Sequence, residues 1–162
     1  LLMHSMDADF DLDPQIFGSL GDIMIEYGVS PHTAIVSLSG CECRLAVWVI
    51  AGNLLRDPRS TLFARSLVRQ ASAGIIVFDG SDISSFFELE KWMNLLHTHA
   101  DKIPVVIVEN KIDLVGDDLG SRFEWYAQSH DAGFIRTSAK YDSYPLENAF
   151  KMICQKLTGN GT

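Results

Sequence analysis

The chain has 162 residues, with 13 basic and 21 acidic side chains that give a formal net charge of −8. With 47% hydrophobic and 21% charged residues, its composition is that of one globular domain and excludes a disordered or fibrous chain. The acidic balance, without a run rich in lysine and arginine, argues against a nucleic-acid partner, because phosphate backbones bind clustered cations. The longest apolar runs are much shorter than the roughly 20 residues that cross a bilayer, so we expect no transmembrane segment.

Short β-branched runs alternate with amphipathic stretches, which predicts an α/β protein with a largely parallel sheet. The first thirty residues are the least regular, and residues 1–6 are predicted to be the end of a helix. Two strands joined by the turn Ser39-Gly40 predict an antiparallel hairpin at one edge of the sheet. Ser85 and Glu88 have the spacing of a capping box. Strands are predicted at 33–38, 43–50, 74–78, 104–108 and 133–136, and helices at 60–70, 84–99, 118–130 and 145–157.

A polar tetrapeptide, Asn110-Lys111-Ile112-Asp113, follows directly on a predicted strand, at the sheet edge where open α/β folds place their ligands. A carboxylate can accept two hydrogen bonds from a purine, an amide both donates and accepts, and a lysine stem can lie along a ring. These residue types suit guanine. The alternative is a plain loop in which Asn110 and Asp113 stabilise a turn and Lys111 is solvated.

A second tetrapeptide, Thr137-Ser138-Ala139-Lys140, follows the next predicted strand and should reach the same edge of the sheet. The small Ser138-Ala139 pair lets backbone N–H groups approach a flat ligand, and Ser138 is placed to brace the loop of Asp113. We call residues 110–113 and 137–140 the two base loops. After the second hairpin strand, Gly52 offers a backbone N–H for close approach to a terminal phosphate. Taken singly, each segment is also an ordinary polar loop or strand end.

Together these segments resemble the Ras superfamily of small GTPases, and its Rab branch in particular. The first base loop matches the family's Asn-Lys-x-Asp motif, and Ser138, Ala139 and Lys140 match its Ser-Ala-Lys motif. The resemblance implies that Asp113 holds the guanine N1 and N2 protons, that Lys111 packs over the base and that the Ser-Ala-Lys backbone meets O6. It covers nearly the whole chain. It implies one small-GTPase-like domain over residues 1–162, with three layers, a mostly parallel sheet and one antiparallel edge hairpin.

The sequence departs from the family at the phosphate and magnesium positions. The phosphate loop, Gly-x-x-x-x-Gly-Lys-Ser/Thr, does not occur in it. Glu26 falls where Rabs have the threonine that closes over γ-phosphate and Mg²⁺, and Val49 replaces the aspartate that holds magnesium through water. Beside Gly52, Asn53 replaces the glutamine that orients the attacking water. We therefore expect no catalytic residue and no bound Mg²⁺, only weak binding of GTP or GDP, and GTP hydrolysis that is absent or very weak.

The amino end of the chain leads to a further expectation. Leu1-Leu2 followed by Phe10 resembles the family helix just after the phosphate loop, so we expect the chain to be truncated there. The family's first strand lies between the strands predicted at 43–50 and 74–78. Without it, buried backbone groups would be unpaired at about 1–3 kcal/mol each. We expect that upstream residues supply this strand, that the two neighbouring strands pair directly, or that a partner donates a strand.

The resemblance implies two functions and leaves open a purely structural role within a larger complex. The first function is an interaction module with a degenerate nucleotide site, which engages effectors or complex subunits in intracellular trafficking or a ciliary assembly. The alternative is a GTP-binding Rab-type switch whose phosphate loop lies upstream of Leu1. The chain has three cysteines, Cys41, Cys43 and Cys154, an odd number that does not form a complete set of disulfides, and it shows no signal-peptide pattern. These features favour a reducing compartment and predict a cytoplasmic protein. Association with an organelle or ciliary membrane would then come through partners or through a lipid anchor not seen in this sequence.

Overall fold

The computed structural model describes residues 2–5, 29–38, 41–100, 102–115, 120–141 and 144–158. The described residues form one six-stranded sheet: β1 (Leu2–Ser5), β2 (Val29–Leu38), β3 (Cys41–Ile50), β4 (Ala73–Asp79), β5 (Val105–Asn110) and β6 (Gly133–Arg136). The α-helices of this part of the chain are α1 (Pro58–Val68), α2 (Ile83–His99), α3 (Gly120–Ser129) and α4 (Tyr144–Leu157). Two short 3₁₀ helices, Gly52–Arg56 and Ile112–Leu114, follow β3 and β5.

The sheet has the strand order β2-β3-β1-β4-β5-β6. β4, β5 and β6 are parallel, with Ile76 opposite Ile107 and Ile107 opposite Phe134. β2 and β3 form an antiparallel hairpin at the other edge, with Val29 opposite Ile50. The predicted α/β class, parallel strands and antiparallel edge hairpin are therefore confirmed.

The strand β1 is the largest departure from expectation. It lies between β3 and β4 and is antiparallel to both, with Leu2 opposite Trp48 on one side and Gly74 on the other. The prediction that residues 1–6 end a helix is thus wrong. Residues 2–5 of the chain itself lie between the two neighbouring strands, which none of the three expected alternatives describes. The physical reason is that backbone groups in the middle of a sheet need hydrogen-bond partners, and residues 2–5 supply them. β1 pairs with β4 at two positions, where Leu2 and Met3 lie opposite Gly74 and Ala73, the first two residues of β4.

Helices cover both faces of the sheet and give the predicted three layers. On one face, α1, α2 and α3 bury a core with the sheet, which includes Ile76, Phe78, Ile107, Leu89, Met93 and Phe123. On the other face, α4 packs Ile153 and Cys154 against Ile75, Val106 and Val108. β5 is buried on both sides because it lies between two parallel neighbours and two helical layers. In the described part of the chain, none of the helices has the length and hydropathy needed to span a membrane.

Aspartate side chains cap the first turns of α1 and α2. Asp57 caps α1 by accepting hydrogen bonds from the backbone N–H and the hydroxyl of Ser60, at 2.9 and 3.0 Å. Asp82 caps α2 by accepting from the Ser84 N–H at 2.9 Å. The predicted capping box at Ser85 is wrong, because the Ser85 hydroxyl instead accepts from the backbone N–H of Asp79 at 2.9 Å. This contact ties the start of α2 to the end of β4.

Candidate functional site

The first base loop begins where β5 ends at Asn110. Lys111 adopts a left-handed backbone conformation, with φ 62° and ψ 35°, which costs a residue other than glycine about 1–2 kcal/mol. The Leu114 N–H donates to the Lys111 carbonyl at 2.9 Å, and the Ile112 N–H donates to the Thr137 carbonyl at 3.2 Å. These two bonds hold the turn, which keeps the polar side chains of the loop at the carboxyl edge of the sheet.

Side-chain hydrogen bonds join the first base loop to the second. The Ser138 hydroxyl donates to Asp113 Oδ1 at 2.5 Å, and the Ala139 N–H donates to Asn110 Oδ1 at 3.0 Å. The expectation that Ser138 braces the loop of Asp113 is confirmed. A cavity of about 280 Å³ lies between the loops, and all six predicted base-binding residues line it together with Leu114: Asn110, Lys111, Asp113, Ser138, Ala139 and Lys140.

The lysine of the first base loop is held by an aspartate from β4. Lys111 Nζ donates to Asp79 Oδ2 at 2.5 Å. This hydrogen bond is the main cause that lowers the pKa of Asp79 and raises the pKa of Lys111. Sequence reasoning missed Asp79, although it lies at the end of a predicted strand next to the one that carries Lys111. In the second base loop, Lys140 Nζ lies 4.8 Å from the centre of the Tyr141 ring.

A buried ion pair lies at the root of both base loops. Glu109, which is 0% exposed, accepts a hydrogen bond from Arg136 Nε at 2.8 Å. Since Glu109 precedes Asn110 and Arg136 precedes Thr137, the pair links β5 to β6 directly below the loops. Sequence reasoning missed this pair as well. The available signal was a carboxylate directly after the apolar strand predicted at 104–108 and a guanidinium at the end of the next predicted strand.

Gly80 provides the space that Glu109 needs. A Cβ at position 80 would lie 2.7 Å from Glu109 Oε1 and 2.9 Å from its Cγ, closer than carbon contacts allow. Among the described residues, Oε1 has no hydrogen-bond partner, whereas Oε2 is bonded to Arg136. The end of β4 and the first base loop are therefore packed together without spare volume.

The end of β3 has a different character. Val49 is 41% exposed and offers only carbon atoms, and Gly52 and Asn53 are exposed on the following 3₁₀ helix. A cavity of about 190 Å³ lies between the ends of β3 and β4, and its lining is mainly apolar, including Val49, Val77 and Trp92. We call Val49, Gly52 and Asn53 the β3 end. Glu26, the other predicted degenerate position, lies outside the described residues.

A neighbouring cavity of about 270 Å³ contains carboxylates, but these have other partners. It is lined by Gly52 and Asn53 together with Asp82 and Glu88. Both Asp82 oxygens accept from Ser84, and Glu88 pairs with Lys91 at 2.8 Å. In the described ranges, no three side chains of His, Cys, Asp or Glu come together in a way that could hold a metal ion.

The two cavities differ in the ligand groups they suit. The cavity between the base loops combines a carboxylate, an amide and backbone N–H groups, which match the donors and acceptors of guanine. At the β3 end, Val49 cannot act as an oxygen ligand for a hydrated Mg²⁺, which requires such ligands. Among the described residues, the base loops thus carry groups of the kinds that guanine uses, and the Val49 side chain offers no oxygen to a metal ion.

A three-layer α/β fold that gathers Asn110, Asp113 and Ser138 around a cavity at the carboxyl ends of its parallel strands is the arrangement in which open α/β proteins bind their ligands. Residues 23–159 match the family model described as the Ras family, so the chain belongs to the Ras family. The resemblance to the Rab branch is also supported by individual relatives.

These relatives are Rab proteins from three different organisms. Ras-related protein Rab-18 of Lymnaea stagnalis is 32% identical over 136 residues, which is 80% of this chain and 63% of the relative. Ras-related protein Rab-18-B of Danio rerio is 29% identical over 163 residues, 97% of this chain and 71% of the relative. Ras-related protein Rab-1D of Dictyostelium discoideum is 30% identical over 70% of this chain and 55% of the relative. The protein is thus similar to Rab small GTPases but spans only part of their length.

Proposed function

We propose that this Rab-like protein binds the guanine base through its two base loops, binds phosphate and Mg²⁺ weakly or not at all, and acts as an interaction module for other proteins. The observation that carries the proposal is the contrast between the two cavities. Six matching residues line the cavity at the base loops, whereas Val49 replaces a magnesium-holding carboxylate at the β3 end. Membership of the Ras family supports guanine as the base, because guanine-nucleotide binding is general in that family.

The hydrogen bonds within the base loops support the first half of this proposal. Asn110 and Asp113 are each held by a donor from the second base loop, so their side chains are oriented before a ligand binds. Asp113 is exposed and can still accept hydrogen bonds from a purine edge. A preorganised site of this kind spends less of its binding free energy on ordering side chains.

The cellular role that we propose rests on the names of the relatives and on exposed apolar side chains. The relatives are named Ras-related proteins of the Rab group, and we propose a role in intracellular trafficking, including a ciliary assembly as one setting. Three large apolar side chains on α1 and α2 are more than half exposed, namely Leu62, Ile83 and Phe87. Exposed side chains of this type are suited to contact effectors or complex subunits. We place the protein in the cytoplasm, with organelle membranes reached through partners or a lipid anchor.

The alternative proposal is a working Rab-type switch whose phosphate loop lies upstream of Leu1. The complete set of base-loop residues favours this alternative as much as it favours the module. The two proposals differ in whether partners distinguish GTP from GDP. For a switch, a bead-bound chain should capture different proteins in the presence of excess GTP and excess GDP, whereas a module should capture the same proteins in both. Adding Glu26→Thr with Val49→Asp should leave the capture by a module unchanged.

Base recognition is tested by Asp113→Ala. We expect the wild-type chain to prefer GDP over ADP in isothermal titration. The variant should lose this preference by roughly 10-fold to 100-fold, since a hydrogen bond to a charged group contributes about 1.5–3 kcal/mol. Glu124→Ala, which removes an exposed carboxylate on α3, is the matched control and should keep the preference. An Asp113→Ala variant with an unchanged preference for guanine would remove Asp113 from the site.

A further inference from the structure

A cavity of about 510 Å³ lies at the amino end of β5, at the opposite edge of the sheet from the base loops. Its walls come from the ends of α2 and α3, the segment before β5 and the end of α4. Leu96, Ile103 and Val105 give it an apolar floor. The volume lies within the range of roughly 300–1,000 Å³ that is usual for small-molecule sites. The base loops do not contribute to this cavity, so it is separate from the candidate nucleotide site.

Two histidines stack at one side of this cavity. The rings of His97 and His130 have centroids 5.8 Å apart and are inclined by only 9°. His130 Nδ1 lies 2.9 Å from the Tyr126 carbonyl oxygen, which can only accept, so Nδ1 carries a proton. The Tyr126 ring lies 4.3 Å from the His130 ring and keeps it in place. The position of the His130 imidazole is therefore fixed by its neighbours, and His97 stacks on it.

Two lysines supply positive charge at the rim of the cavity. Lys156 Nζ donates to the Asp131 carbonyl oxygen at 3.3 Å, which holds the ammonium group at the rim, and Lys102 lies on the segment before β5. Among the described residues of the lining, Asp131 carries the one carboxylate, and it is exposed. This concentration of cations occurs in a chain whose net charge is −8. Cations gathered around an apolar floor, in an otherwise anionic chain, are suited to an anion that also has an apolar or ring-shaped body.

We infer that this cavity, between His97, Lys102, His130 and Lys156, binds a phosphate-bearing organic anion. The two ammonium groups donate charge-assisted hydrogen bonds to phosphate oxygens, and the apolar floor and the stacked imidazole rings pack against the body of the ligand. The same chemistry is found in a phosphorylated lipid headgroup and in a soluble phosphate ester.

The test is a titration of the full 162-residue chain with inorganic phosphate, followed by NMR, with sodium chloride at matched ionic strength as the reference. We expect saturable shifts of the His97 and His130 signals with phosphate but not with chloride. The double variant Lys102→Gln/Lys156→Gln should weaken phosphate binding about tenfold, through loss of charge-assisted hydrogen bonds. Arg59→Gln/Arg65→Gln, which removes two exposed cations from α1, is the charge-matched control and should bind as the wild type does.

Two further arms identify the source of the phosphate. One uses phosphatidylcholine vesicles with and without phosphatidylinositol 4-phosphate, and the other uses soluble glucose 6-phosphate. Binding to either probe that is lost in the lysine variant supports the inference and selects that source. The inference is overturned if phosphate gives no saturable shift, if the lysine and arginine variants bind equally, or if inorganic phosphate binds but neither organic probe does. Unchanged amide signals from β4 and β5 show that the lysine variant is folded.

Discussion

The base loops and the β3 end lie at the ends of strands in one sheet but are built differently. The base loops are cross-linked by Ser138 to Asp113, by Ala139 to Asn110 and, below them, by Arg136 to Glu109. At the β3 end, by contrast, a Cβ added to Gly52 would meet no atom within 4 Å. The comparison teaches that the shape of the base site is held by contacts within the protein.

We expect the largest loss of stability when the cation below the base loops, Arg136, is removed. Arg136→Met leaves the Glu109 carboxylate buried without its partner. We expect the free energy of unfolding to fall by about 3 kcal/mol, near the lower end for a broken buried pair because Arg136 is 30% exposed. Urea unfolding followed by circular dichroism measures this change.

The matched control for Arg136→Met is Lys91→Met. Lys91 pairs with Glu88 at the same distance of 2.8 Å, but on the surface of α2, where water replaces the lost partner. This variant should unfold at nearly the same urea concentration as the wild type. Equal losses in the two variants would show that the Glu109–Arg136 pair has no special role in holding the base loops.

A second test compares glycines from the two regions. In Gly80→Ala, the new methyl group would lie 2.7 Å from Glu109 Oε1, so we expect a loss of about 1–3 kcal/mol in unfolding free energy. Gly52→Ala places its methyl group in open space and should change stability little. Thermal unfolding of both variants measures the difference. If Gly52→Ala were as destabilising as Gly80→Ala, the β3 end would be as tightly packed as the base loops.

The smallest expected effect concerns pH. The Lys111 ammonium lowers the pKa of Asp79 below its ordinary value of 3.8 in the folded chain. This pair therefore stabilises the fold above the ordinary pKa, and its contribution is lost as the pH falls through the lowered pKa. In Lys111→Met, the drop in unfolding free energy between pH 7 and pH 3 should be smaller than in the wild type. An equal drop in both proteins would show that Asp79 titrates independently of Lys111.

The base loops could be predicted from the sequence because short motifs follow directly on strands. Asn110 and Asp113 lie within four residues of each other, and Ser138 follows the neighbouring parallel strand, so strand order alone brings them together. The strand β1 could not be predicted, since its pairing with β3 and β4 joins residues at least 40 positions apart. Its local pattern, Leu-Met-His-Ser, also suits the end of a helix.

Side-chain partners were less accessible to prediction than strand order. The capping box at Ser85 was wrong because Asp82, three residues earlier, caps α2, while the Ser85 hydroxyl accepts a hydrogen bond from the Asp79 N–H. The Glu109–Arg136 pair depends on the register of β5 against β6, which places these two residues opposite each other. Register is set by the whole sheet, so a local pattern does not reveal it.

The central claim is that the base loops bind guanine while the β3 end gives no support to Mg²⁺. The most direct measurement is the dissociation constant for GDP of the full 162-residue chain, with millimolar Mg²⁺ and with excess EDTA. We predict measurable binding that prefers GDP over ADP and changes by less than about twofold between the two conditions. A GDP affinity that falls tenfold or more when EDTA removes the metal would contradict the claim and favour a working magnesium-dependent switch.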